Sequence, residues 1–124
     1  MIKLTDEIRE GVNNAMNDRV TMIVAYTDAD GQANLSYRGS VQATGDAELS
    51  MWVRDPNGGI LKAIATNPKL ALMYRKERTG WQFQGRGRID DDEAVRTRVY
   101  NNSHELERQR DARAQGVTAA EGQG

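Results

Sequence analysis

The sequence of 124 residues contains no cysteine and only one histidine. Without cysteine the chain cannot form disulfides, thiolate metal sites or a cysteine nucleophile. A single histidine also excludes a metal site that needs several histidines of one chain. Aromatic residues make up 6% of the chain and the mean hydropathy is −0.74, so apolar surface is scarce for a monomer. A dimer would relieve that scarcity by burying one more face.

The chain also lacks a charge excess and a long apolar run. Its net charge is −1 and its pI is about 5.8, whereas a general nucleic-acid binder shows a basic excess. No apolar stretch is long enough to cross a bilayer, and the N-terminal MIKLTDEIRE lacks the apolar core of a signal peptide. We therefore expect a cytoplasmic protein with neither nucleic acid nor membrane as a partner.

The patterning predicts one domain over residues 1–124. Short strands joined by tight turns, with one helix inserted midway, indicate a small antiparallel barrel of the mainly β, α+β class. The first three strands are expected to form a β-meander. The predicted strands cover 20–26, 32–41, 48–54, 69–75 and 81–89. Of the predicted helices, the first begins at Asp6 and the second covers 59–66. The third runs from the acidic stretch 90–93 to Asn101, and the fourth covers 104–115.

The stretch from Ser36 to Pro68 carries the strongest functional pattern. Polar residues alternate along the second strand, which places them on one face. The turn over 55–59 then leads into a helix that begins near Gly59. A strand, a glycine turn and a helix N-terminus with arginines beside it can bind a phosphate, because free N–H groups and the positive helix end favour an anion.

These features resemble the pyridoxamine 5′-phosphate oxidase-like, FMN-binding split β-barrel family. The matching segments are VTMIVAYTDADGQANLSYRGSV, ELSMWVRDPNGGILKAIATNPKLALMY and WQFQGRGRIDDDEAVRTRVY. An Asn-Pro junction before an apolar strand, and a Gly-x-Gly-x-Ile strand end before an acidic helix start, are typical of that family. The resemblance implies an antiparallel split β-barrel that forms a homodimer, with a barrel core over about 20–100 and a C-terminal helix and tail over 103–124.

The resemblance also implies FMN in a groove between the subunits, its phosphate held by residues of the strand ends and the inserted helix. The fork of an arginine suits a phosphate, although Arg38 and Arg54 could instead pair with Glu48 or Asp55. Trp52 could flank the flavin or lie at the rim of an interface, and the glutamines could bind the ring edge or face solvent. The cofactor-binding candidates are Arg38, Ser40, Trp52, Val53, Arg54, Gly58, Gly59, Lys62, Gln82 and Gln84.

The sequence departs from the family pattern in two places. Gly58 and Gly59 stand where better-known members carry a Ser-Arg-Lys-type cluster. Phosphate binding would then depend on backbone N–H groups and the nearby basic residues, and a deazaflavin or no cofactor are the alternatives to FMN. The last predicted strand, near 116–119, is weakly apolar, so the side of the site that supplies substrate-binding residues in oxidases is expected to be missing.

No residue is evident as a catalytic acid, base or nucleophile, so no catalytic residue is assigned. His104 beside Ser103 does not predict a triad, because no serine carries the nucleophile-elbow pattern. No metal site is predicted either. Three hypotheses follow: a flavin-dependent oxidoreductase of pyridoxamine-phosphate-oxidase type acting on an unknown small molecule, a flavin or deazaflavin binding module without turnover, and a structural dimer with a decayed groove.

Overall fold

The computed structural model describes residues 3–54 and 58–103. These residues form antiparallel strands with three flanking helices, which confirms the α+β class predicted from the sequence. The predicted helix over 104–115 and strand near 116–119 lie outside the described residues. The helices are α1 (Asp6–Asn13), α2 (Gly59–Thr66) and α3 (Glu93–Asn102), and the strands are β1 (Met22–Thr27), β2 (Ala33–Arg38), β3 (Gln42–Gly45), β4 (Glu48–Ser50), β5 (Lys69–Lys76) and β6 (Thr79–Arg86).

The strands make two antiparallel sheets. Four of them follow the order β2-β1-β5-β6, while β3 and β4 pair separately. The predicted meander is therefore wrong beyond its first hairpin, because β2 lies at the edge of the four-stranded sheet and the next strands, β3 and β4, pair only with each other. The predicted strand over 32–41 breaks at the turn formed by Gly39 and Ser40. The strand predicted to reach Arg54 stops at Ser50, because the backbone of Trp52 bonds to a serine side chain instead of another strand.

The core lies on one face of the four-stranded sheet, which we call the inner face. Met22 and Val24 of β1 are 1% and 0% exposed there, and Val12 of α1 and Ile60 of α2 cover them. Full burial of a side chain of this size contributes about 1.5–3 kcal/mol. The helix predicted to begin at Asp6 is observed as α1, and its buried residue Val12 belongs to this core.

The opposite, outer face of the same sheet is largely uncovered by the described residues. The strand register places Tyr37 beside Ile23, and Ile23 beside Met73. Leu35, Tyr37 and Met73 are 74%, 73% and 48% exposed. On β2 the apolar side chains therefore point outward, and the polar side chains point toward the core side.

The end of α2 is joined closely to the end of β6. The backbone N–H of Gly87 donates to the carbonyl oxygen of Pro68 at 2.7 Å. A Cβ on Gly87 would lie 2.6 Å from Leu70 Cδ1, so a larger residue here would require the Leu70 side chain to move. Within 3–54 and 58–103, every helix is too short or too polar to span a bilayer.

Candidate functional site

A row of polar side chains runs along the inner side of β2. Asn34, Ser36 and Arg38 lie opposite Tyr26, Val24 and Met22 of β1 in the register, so the row borders the core at the edge of the sheet. The Nε of Arg38 donates to Ser36 Oγ at 3.2 Å. This bond turns the guanidinium back along the strand, toward the end at which Asn34 lies.

The N-terminus of α2 has no side-chain cap. Its N-cap residue is Gly58, in an extended conformation with φ −62° and ψ 154°, and no acidic residue occupies the first turn. The first N–H groups of a helix have no partner within the helix, and no side chain of residues 3–54 or 58–103 caps them here. Lys62 stands one turn further along, and helical side chains lean toward the N-terminus. The helix start is therefore positive and open to an anion.

Close packing brings the start of α2 to Tyr26 of β1. A Cβ on Gly59 would lie 2.8 Å from the Tyr26 hydroxyl, and Tyr26 is the register partner of Asn34. From Asn34 to Arg38 a strand spans about 13 Å, and the guanidinium points back over part of that distance. Gly59 thus permits the approach of the helix to the strand. Sequence reasoning did not select Tyr26, because only the tertiary contact reveals it.

The carboxylates that might have neutralised the arginines are engaged elsewhere or lie outside the described residues. Glu48 Oε2 accepts from Arg88 at 3.1 Å, so it is not the partner of Arg38 or Arg54. Asp55 belongs to 55–57, which the structure does not describe. In the described part of the chain no ion pair involves Arg38 or the exposed Arg54.

Two of the predicted site residues contact each other directly. Ser40 Oγ donates to the carbonyl of Trp52 at 3.0 Å and accepts from its N–H at 2.9 Å. The serine is 4% exposed, so its hydroxyl serves to attach the chain after β4 to the turn after β2. Val53, the next residue, packs against the core.

The ring of Trp52 packs on α3. Its centroid lies 5.1 Å from that of Tyr100 at an interplanar angle of 64°, and the Arg96 guanidinium carbon lies 5.8 Å from it. The indole Nε1 is buried and has no hydrogen-bond partner among the residues that the structure describes. Trp52 therefore connects the chain before α2 to α3, and its predicted role beside a flavin stays a prediction.

Gln82 and Gln84 lie far from the other candidates. They pair with Met73 and Ala71 of β5, which places them on the outer face, whereas Arg38 lies on the inner side. They also belong to β6, at the opposite edge of the sheet from β2. One chain does not bring these glutamines and the polar row of β2 to the same point.

Solved structures provide the comparison for this arrangement. HupZ of Group A Streptococcus matches with a TM-score of 0.65 and 22% identity, over 79% of this chain and 75% of that one. A candidate pyridoxamine 5′-phosphate oxidase of Lactobacillus delbrueckii matches with a TM-score of 0.63 and 20% identity, over 82% and 81%. An FMN-binding protein of Syntrophomonas wolfei matches with a TM-score of 0.57 and 10% identity, over 77% and 69%. No family model and no curated protein matches.

This chain has the pyridoxamine 5′-phosphate oxidase-like fold. The resemblance predicted from the sequence segments is confirmed at the level of the fold. At the start of α2 the first-turn N–H groups lie one helical turn from Lys62, and Gly59 lies against Tyr26, the strand neighbour of Asn34. The N–H groups are donors and Lys62 is a cation, which is the chemistry that a phosphate requires.

Proposed function

We propose that this chain is a flavin-binding protein that holds the phosphate of FMN at the N-terminus of α2. The observation that carries the proposal is the start of this helix, which has no side-chain cap among the described residues and lies against Tyr26 of β1. A phosphate there would accept hydrogen bonds from the first-turn N–H groups and interact with the positive end of the helix dipole. The fold, which a solved FMN-binding protein also has, supports this choice of ligand.

The side chains around the helix start would act in distinct ways. Arg38 would offer its remaining guanidinium donors as a fork to two phosphate oxygens. Lys62 would contribute a point charge, and Gly59 would keep the backbone close enough for the amides to reach the ligand. A bound flavin would itself supply redox chemistry by hydride transfer, so an oxidoreductase of unknown small-molecule substrate is the activity that we propose.

A homodimer with a split barrel in each subunit is part of the proposal. The two sheets of one chain share a core, since Val41 and Leu49 pack with Val24, which supports closure into a barrel. The outer face exposes Leu35, Tyr37 and Met73, and aromatic and methionine side chains are typical of the core of an interface.

Binding without turnover is the second candidate. It is favoured by the glycine pair in place of a Ser-Arg-Lys-type cluster and by the absence, among the described residues of the site, of a carboxylate or histidine that could serve as acid or base. FMN and a deazaflavin are both candidate ligands for such a module. Reduction of the bound flavin by a nicotinamide donor, followed by turnover of an acceptor, would separate an oxidoreductase from a binding module.

Titration of the purified protein with FMN, followed by quenching of flavin fluorescence, tests the proposal. Analytical ultracentrifugation of the same samples gives the oligomeric state. We expect one FMN per chain and a dimer. Arg38→Ala and Arg54→Ala should each weaken binding by about 1–3 kcal/mol, the scale of a hydrogen bond to a charged group, while the exposed turn variant Arg78→Ala should bind as the wild type does. Saturable binding that neither site variant changes would contradict the proposed site.

A further inference from the structure

A cavity of about 300 Å³ lies between the end of α1 and the turn after it, the segment that joins β2 to β3, and the end of α3. Four carboxamides line it, those of Asn13, Asn17, Gln42 and Asn102. No Asp, Glu, Lys, Arg or His is among the described residues of its wall, although 28% of the chain is charged. The cavity is therefore polar and uncharged.

Gln42 offers this cavity a hydrogen-bond acceptor in a fixed orientation. The residue is 8% exposed, and its Nε2 donates to the carbonyl oxygens of Ser40 at 3.2 Å and Val99 at 3.0 Å. These two bonds use both amide hydrogens and fix which end of the carboxamide is the oxygen. Oε1 is then the atom with which Gln42 can bind a ligand.

Asn13 offers the complementary donor. Its Oδ1 accepts from the backbone N–H of Ala43 at 2.8 Å, so its Nδ2 is the group that is left for a ligand. Ala43 directly follows Gln42, and both carboxamides are thus attached to the same stretch of β3. A ligand that carries an N–H and a carbonyl on one edge would satisfy both of them.

The apolar part of the lining selects a flat, uncharged body for the ligand. Val12 and Val41 are buried, and Met16 Sδ accepts from the Thr21 hydroxyl at 3.2 Å. A thioether makes favourable contacts with an aromatic ring. A charged ligand would lose its hydration here without gaining a counter-ion. The cavity volume is at the lower end of the range for small-molecule sites, which suits one or two fused rings.

We propose that this cavity binds a nucleobase, free or in a nucleoside, through the lactam edge of its ring. A ring N–H donates to Gln42 Oε1, the adjacent ring carbonyl accepts from Asn13 Nδ2, and the ring faces contact Val12, Val41 and Met16. Uracil, thymine, guanine and hypoxanthine all carry this edge.

This proposal does not rest on the flavin phosphate site. Neither Gly59 nor Lys62 of α2 lines the cavity. Ser40 does line it, but its hydroxyl is bonded to the backbone of Trp52, so it serves as part of the wall.

Isothermal titration of the full chain with uracil and with uridine tests the proposal. We expect saturable binding of one ligand per chain. Uridine keeps the lactam edge and adds a ribose, so the two affinities distinguish a site for the free base from a site for a nucleoside. The analogue 1,3-dimethyluracil has no ring N–H and should bind at least about tenfold more weakly, because Gln42 Oε1 would face it without a donor.

Asn13→Asp tests the donor on the protein side. The substitution keeps the oxygen that accepts from Ala43, removes Nδ2 and places a negative charge against the ring carbonyl. We expect uracil to bind about tenfold more weakly. The control Gln32→Glu adds the same charge in the exposed turn between β1 and β2, outside the cavity, and should leave the affinity unchanged.

Four results would each overturn the nucleobase site. They are an absence of saturable binding of both uracil and uridine, equal affinities for uracil and 1,3-dimethyluracil, equal affinities of Asn13→Asp and Gln32→Glu for uracil, and displacement of uracil by FMN. The last result would make the cavity a part of the flavin site. Thermal melting checks that Asn13→Asp folds, and if it does not, the comparison of uracil with 1,3-dimethyluracil on the wild type decides the question.

Discussion

The three helices within residues 3–54 and 58–103 begin in two different ways. At α1 the hydroxyl of Thr5 accepts from the N–H of Ile8 at 3.2 Å, and at α3 a carboxylate oxygen of Asp92 accepts from Ala94 at 2.9 Å and from Val95 at 3.3 Å. Both helices also carry acidic residues in the first turn. Their ends are thus satisfied by the chain itself, which is the usual arrangement for a structural helix.

At α2 the same position is occupied by Gly58, which has no side chain to offer, and the first turn has no carboxylate. The nearest charged residue of the helix is basic. A capping side chain at this position would have stabilised the helix, so its absence leaves an anion-binding position open. The starts of α1 and α3 therefore serve only the packing of those helices, whereas the start of α2 is where we propose that a phosphate binds.

The change with the largest expected effect is Gly58→Asp, which would give α2 the kind of cap that α3 has. The new carboxylate would occupy the first-turn N–H groups and repel a phosphate. We expect FMN affinity to fall at least tenfold, by about 1.5–3 kcal/mol, while thermal stability stays the same or rises. Gly58→Ala is the matched control, because its φ is negative and alanine adds no charge. Equal affinities for the two variants would remove the helix end from the site.

Asp92→Ala tests the side-chain cap at the N-terminus of α3. Loss of a cap that accepts two hydrogen bonds should lower the free energy of unfolding by about 1–2 kcal/mol, measured by urea denaturation. The affinity for FMN should not change. The neighbouring Asp91→Ala removes the same charge without removing a cap, and it should leave stability within about 0.5 kcal/mol of the wild type. A large loss of FMN affinity in Asp92→Ala but not in Asp91→Ala would show that the capped start of α3 also affects FMN binding.

Thr5→Ala applies the same test to α1, where the cap accepts only one hydrogen bond. We expect a loss of about 1 kcal/mol in the free energy of unfolding. Thr97→Ala, at an exposed position within α3, replaces threonine with a better helix former and should not destabilise. If Thr5→Ala and Thr97→Ala have the same stability, the cap of α1 contributes nothing measurable.

Lys62→Gln has the smallest expected effect of the four variants Gly58→Asp, Asp92→Ala, Thr5→Ala and Lys62→Gln. The side chain is exposed, so its attraction to a phosphate is screened by solvent and salt. We expect a twofold to fivefold loss of FMN affinity at low ionic strength that shrinks as salt is added. Lys3→Gln removes an equivalent exposed charge elsewhere and serves as the control. A salt-independent effect of Lys62→Gln would mean that the lysine acts through structure rather than charge.

Local chemistry explains which parts of the fold could be predicted from the sequence. The bounds of α2 were predicted at 59–66 and are observed there, because glycines mark its start and Asn67-Pro68 marks its end. The strand over 32–41 was predicted too long. The turn at Gly39 and Ser40 is stabilised by bonds to Trp52, twelve residues away, and a local pattern does not contain that information.

The same limit applies to the site. Alternation correctly placed Ser36 and Arg38 on one side of β2, whereas Ser40 and Gln42 of the same predicted strand lie in the turn and in β3. Alternation along β6 separates Gln82 and Gln84 from Trp81 and Phe83. Whether the two polar groups share a face of the sheet depends on the order β2-β1-β5-β6, which is set by long-range pairing. The orientation of the Trp52 ring is likewise set by a long-range contact, which is its packing on α3.

The affinity for FMN compared with that for riboflavin tests the central claim most directly. The two ligands share the ring system and differ by the phosphate, which is the group that the start of α2 is proposed to hold. We predict that FMN binds at least about 100-fold more tightly, a difference of about 2.7 kcal/mol, and that Gly58→Asp removes most of this difference. Equal affinities for FMN and riboflavin would contradict the account.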